Sequence, residues 1–115
     1  MFIDAQDMQR QTRPYEAGGL GETTFVHIAQ PEQLPKNARL LSEFRIEKGS
    51  SVGKHVHAHE ANVYYCLAGR GRLDDNGTIV QMRKGDASIC RGGDYHAISN
   101  EHDEVLRVVA MVIIE

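Results

Sequence analysis

Apolar residues along this chain recur at every second position in short runs, and almost nowhere at the three-to-four-residue interval of a helix. Thr23–Ala29 (TTFVHIA) is rich in β-formers, and Arg39–Glu47 alternates in part until Lys48-Gly49 stops it. A short His55–His57 run is followed by Asn62–Ala68 (NVYYCLA), which ends at Gly69-Arg70-Gly71. Arg72–Leu73 and Ile79–Met82 flank Asp74-Asp75-Asn76-Gly77, whose Asn-Gly pair is a strong hairpin signal. Ala87–Cys90, Tyr95–Ser99 and Val105–Ile114 complete the set of strand-like runs. Residues 1–20 are polar and end in Gly18-Gly19-Leu20-Gly21, so they read as an arm or an irregular leading strand. Gln30–Asn37 carries Pro31 and Pro35 and reads as a loop with at most one helical turn. Short strands with turn signals every ~8–12 residues predict an all-β domain, a sandwich or a barrel.

Size and charge narrow the picture. The chain has 115 residues, enough for one packed core and too few for two. A net charge of -3 gives no basic face, so nucleic acid and anionic membrane surfaces are not expected partners. No apolar run approaches the ~18 residues of a membrane span. The acidic start Met-Phe-Ile-Asp-Ala-Gln-Asp lacks a basic region followed by an apolar one, so no signal peptide is expected. Cys66 and Cys90 read as two buried, reduced thiols of a cytoplasmic protein. Val105–Ile114 is apolar on both faces apart from Arg107, which implies that the outer face of one sheet is covered.

The candidate chemistry lies in the histidines. His55 and His57 are two residues apart and so point the same way on a strand, where a third imidazole from a later strand, His96, can close on them. Their surroundings carry a pattern. Gly49 is followed after five residues by His55-Val56-His57, after four more by Asn62 and after six more by Gly69. Gly85 is followed after five residues by Arg91-Gly92-Gly93, after two more by His96 and after three more by Asn100. These residues resemble the two signature motifs of the cupin superfamily. Asn62 stands where the family has Glu, and Arg91 where it has Pro. The resemblance spans Gly49–Asn100 and implies a jelly-roll β-barrel, a double-stranded β-helix, over the single domain 1–115.

By the same resemblance His55, His57 and His96 are three ligands of one divalent transition metal. Iron, manganese, nickel, zinc and copper are all compatible with imidazole and are not distinguished. Asn62 offers a neutral carbonyl oxygen in place of a carboxylate. It is either a weak fourth ligand or a residue that orients bound water or substrate. The metal then keeps its full charge, which favours an anionic or chelating small molecule. His59 joins the histidine face if the strand runs straight on, and Glu60 is a substitute for the missing carboxylate if it swings in. Tyr64 and Cys66 share the face of Asn62 at period 2. Tyr64 is the candidate catalytic and substrate-binding phenol, its alternative being ordinary packing. Arg91 is a candidate clamp for a carboxylate at the barrel mouth. Arg45 and Arg107 lie in strands, and one of them is expected to point inward.

Two function classes follow from the resemblance. One is a metal-dependent enzyme of the dioxygenase, decarboxylase or isomerase type, acting on a small anionic or chelating metabolite. The three-histidine pattern without Glu is similar to that of oxygen-using iron cupins. The other is a non-catalytic cupin that binds or senses a small ligand. Small cupins often form homodimers through sheet packing or exchanged N-terminal arms, and residues 1–20 are a candidate arm.

Overall fold

Alternation and turn chemistry together produce ten strands, and a computed structural model describes all 115 residues. The strands are β1 (Gln9–Pro14), β2 (Glu22–Ala29), β3 (Ala38–Ile46), β4 (Ser51–Val56) and β5 (Glu60–Ala68), then β6 (Arg70–Asp75), β7 (Thr78–Arg83), β8 (Ala87–Cys90), β9 (Tyr95–Ser99) and β10 (Leu106–Ile114). The expected loop at Gln30–Asn37 holds a single 3-10 turn at Pro31–Gln33. No helix is long and apolar enough to cross a membrane. The polar segment read as an arm or an irregular leading strand contains β1, which pairs antiparallel with β2 along its whole length. One correction to the reading of the sequence matters here: the strand expected at His55–His57 begins earlier, at Ser51, and stops before His57.

Antiparallel pairing groups the strands into two sheets, one in the order β1-β2-β3-β10-β5-β8 and one in the order β4-β9-β6-β7. A single core lies between them. Phe25, Phe44, Tyr64 and Val108 from the first sheet pack with Val52, Leu73, Met82 and Ile98 from the second, all but removed from water. Burial of these side chains, each contributing about 1.5–3 kcal/mol, is the main force holding the sheets face to face. The Asn76-Gly77 pair forms the β6–β7 hairpin as expected, with both residues at positive φ (51° and 89°).

Along β10 burial alternates between buried and half-buried, so within one chain only one of its faces is sealed. The opposite face belongs to the outside of the six-stranded sheet, where Tyr65 and Ile89 are exposed. Arg45 and Arg107 are on this outer face as well. Both pair with the largely buried carboxylate of Glu43, so neither points inward as expected.

Asn100, the last residue of the second motif, is fully buried and works as a clamp. Its amide nitrogen donates to the carbonyls of Ile46 and Glu104, both at 2.9 Å, and its side-chain oxygen accepts from the amide of His102. These bonds tie the end of β3 to the turn before β10. Asn100→Ala leaves three buried backbone groups short of a partner and is expected to cost about 2–4 kcal/mol, read as a lower urea midpoint with an unchanged slope.

Candidate metal centre and ligand cavity

The site begins with a bulge. Val52 pairs with Ile98, yet the next recorded pair is His55 with His96. Three steps along β4 therefore match two along β9, so one extra residue is inserted at Gly53-Lys54. Without it, strict alternation from buried Val52 would turn His55 outward. With it, His55 and His57 face inward beside His96, which is 1% exposed. Gly53 is also required by space. A Cβ there would lie 2.2 Å from the carbonyl oxygen of Ala17, in the turn that packs across β4.

The three imidazoles converge. Nε2 of His96 lies 2.9 Å from Nε2 of His55 and 3.4 Å from Nε2 of His57. Two nitrogens each about 2.1 Å from one ion, at angles between square and tetrahedral, lie about 3.0–3.4 Å apart, so these two separations are close to those of a shared metal, and the three ligand atoms all lie within 4.8 Å of one another. The tautomers fit too. Nδ1 of His55 donates to the carbonyl of Gly53 at 2.7 Å, and Nδ1 of His57 points at a carboxylate oxygen of Glu60 at 3.4 Å. Both arrangements place the proton on Nδ1 and leave Nε2 as the acceptor atom. Burial, together with the neighbouring His55 and His57, pushes the His96 imidazole down to about 3. Burial also lowers His57, outweighing the opposing pull of Glu60. His57 and His96 are thereby held toward the neutral form, the one that binds a metal.

Around the histidines the sequence-based candidates separate. Asn62 is buried and its amide nitrogen donates to Nε2 of His57 at 3.3 Å, while its carbonyl oxygen has no partner. A half-turn of the amide exchanges the two atoms and brings the carbonyl oxygen to the histidine cluster. Tyr64 is 1% exposed, stacked on His96 at 4.6 Å and 16°, with its hydroxyl unpartnered. Burial raises its pKa, so the phenol stays protonated. Cys66 is buried beneath it. His59 sits at positive φ (60°) with its side chain exposed, so the chain turns there and His59 leaves the face. Glu60 does not reach the ligand position. It takes two 2.8 Å bonds from Arg39 and holds His57 from behind.

A cavity of about 290 Å³ opens beside His55 and His57, at the small end of ligand pockets. Asn62 and Tyr64 line it, and so do Arg13, Glu16 and Arg39, which the sequence reading did not single out. Arg91, expected at the mouth, is exposed in the loop before β9 and does not line this cavity. Nothing in a polar N-terminal segment marked Arg13. The signal was there only in the fold, because β1 pairs at the sheet edge beside the cavity.

The His57–Glu60–Arg39 chain predicts a measurable effect on metal affinity. Glu60→Gln keeps the shape but weakens the hold on Nδ1 of His57. It is expected to lower affinity for zinc(II) about 10–100-fold in a competition titration, with the folded spectrum unchanged.

Comparison with known proteins agrees with the geometry. The family model for the cupin domain matches residues 42–113. The chain is 36% identical over 97 residues to the oxalate-binding protein of Thermotoga maritima, a match covering 84% of this chain and 80% of that protein. It superposes on a crystal structure from the same organism, described as a predicted oxalate decarboxylase, with a TM-score of 0.95 and 31% identity over 100% of both chains. A polyketide cyclase from Streptomyces resistomycificus shares the fold at a TM-score of 0.78 and 19% identity, covering 99% of this chain and 78% of that one. With the family match spanning more than half of the chain and its three histidines gathered at the motif positions, the chain belongs to the cupin family.

Proposed function

We propose that this cupin, a jelly-roll barrel, holds one divalent transition metal on His55, His57 and His96 and binds a small carboxylate where the metal faces the cavity. The observation that carries this reading is the convergence of three imidazoles beside a cavity that Arg13 and Arg39 also line. No carboxylate stands among the ligands, so a bound ion would keep its full charge and attract an anion. The relatives named for oxalate support the same ligand class. The metal would supply a Lewis acid for the bound carboxylate and, if redox-active, an electron acceptor. The protein's own residues do the rest. Arg39 fixes Glu60, Glu60 fixes His57, and the Tyr64 hydroxyl donates to an oxygen in the cavity.

A second reading, binding without turnover, draws on the same residues. Decarboxylation needs a proton in place of the departing group, and Tyr64 is held protonated by burial. The carboxylate lining the cavity is Glu16, 3.8 Å from Arg13. The metal content of purified protein, its loss in His57→Ala, and calorimetry with a series of small carboxylates test the shared part. Near one metal per chain and metal-dependent binding are expected. Binding of none of these acids by metal-loaded protein overturns the proposal. Carbon dioxide release during incubation selects the enzyme, and binding without release selects the carrier.

We also infer that a second copy covers the outer face of the six-stranded sheet, where Ile89 is 60% exposed beside Tyr65 and Val63. A two-fold sheet-on-sheet contact covers this face and leaves the cavity, on the inner side, open. Light scattering is expected to give twice the chain mass of 12.8 kDa, falling to one copy for Ile89→Lys.

A further inference from the structure

A continuous column of rings runs from the histidine cluster to Arg13. His96 stacks on Tyr64 at 4.6 Å, Tyr64 meets Phe44 edge-on at 6.0 Å, and Phe44 stacks on Phe25 at 4.4 Å. The guanidinium of Arg13 lies over the outer face of Phe25, 4.3 Å from its centroid. Such a cation–π contact holds the guanidinium flat while leaving its N–H edge available. Of its five donors one is taken by Gln11 at 3.0 Å, and Glu16 is a distant 3.8 Å away. Arg39, by contrast, is committed to Glu60 through two 2.8 Å bonds.

Between the two ends the cavity wall is apolar, with Phe25, Leu40, Phe44 and Val112. It is interrupted by two buried oxygens that lack a partner, the carbonyl of Asn62 and the hydroxyl of Tyr64. A second cavity of about 340 Å³ adjoins the first, sharing Arg13, Arg39 and Leu40. Oxalate has its two carboxylates joined by a single bond. An anion of that length at the histidines leaves three aromatic rings between itself and Arg13, and leaves the apolar wall bare.

We infer that Arg13 is a specificity residue that recognises the far end of the ligand, and that the preferred ligand is a diacid longer than oxalate. One carboxylate lies at the histidine cluster, an apolar middle lies along Phe44 and Phe25, and a second anionic group meets Arg13. The inference rests on the proposed binding of a small carboxylate at the metal, and adds to it the length and second charge of the ligand.

The test is calorimetry of manganese(II)-loaded protein with oxalate, succinate, glutarate and adipate, and with butyrate and valerate as single-charge partners. At least one longer diacid is expected to bind about tenfold tighter than oxalate and than the monoacid of equal length. Arg13→Gln is expected to remove that advantage while changing monoacid affinity less than about twofold, and Arg13→Lys to restore part of it. Manganese content, measured for every variant, separates loss of the ligand contact from loss of the metal. If oxalate is the tightest ligand, or Arg13→Gln weakens diacid and monoacid alike, the inference is overturned while the carboxylate reading stands. If no acid binds the loaded wild-type protein, both fall together.

Discussion

The extra residue in β4 is the constraint on which the site depends. Antiparallel pairing with β9 fixes which residues face the core, and a strand cannot change face without breaking its alternation. Val52 must face inward to fill the core against Ile98, and His55 must face inward to meet His96. Three steps separate the first two of these positions on β4, an odd number that regular pairing forbids. The bulge at Gly53-Lys54 reconciles packing with chemistry. The same glycine lets the Ala17 carbonyl approach β4, so the turn at the cavity rim and the histidine geometry share one backbone feature.

Electrostatics at the site follow from what is missing as much as from what is there. The family pattern has a carboxylate at position 62 and this chain has an amide, so the three imidazoles carry no opposing charge among the ligand candidates. The nearest carboxylate, Glu60, is turned to the back of His57 and neutralised by Arg39. A cation bound here would therefore project its charge into the cavity, toward Arg13. An anion is the species such a cavity concentrates.

Much of this was legible in the sequence, and the limits have physical causes. The all-β reading came from period-2 runs and turn residues, and the Asn76-Gly77 hairpin and the span of β9 stand where they were expected. The three histidines were legible because local spacing within two glycine-bounded segments survives into the fold. The first half of β4 was not, since its bulge interrupts the very alternation used to detect strands. Arg91 was open between a clamp at the mouth and an exposed loop residue, because a loop residue's direction depends on the turn, and here the residue is exposed. Arg13 was invisible. β1 is a polar edge strand with five exposed residues of six, and its pairing with β2 leaves no periodic trace in its own sequence.

That division has a consequence for how the fold is used. The family match covers residues 42–113 and contains every metal-ligand candidate. Arg13, Glu16, Phe25, Arg39 and Leu40 line the cavity from outside that segment. The histidine cluster is thus built by the part of the chain that makes it a cupin, while much of the facing wall is supplied by segments that carry no signature of their own. A fold shared with a polyketide cyclase at 19% identity says little about that wall. Phe25 and Phe44 connect the halves physically, since their stacking carries the position of Arg13 inward to Tyr64 and His96. Substitutions in β1 and β2 are therefore the ones able to change the cavity wall without disturbing the three-histidine cluster.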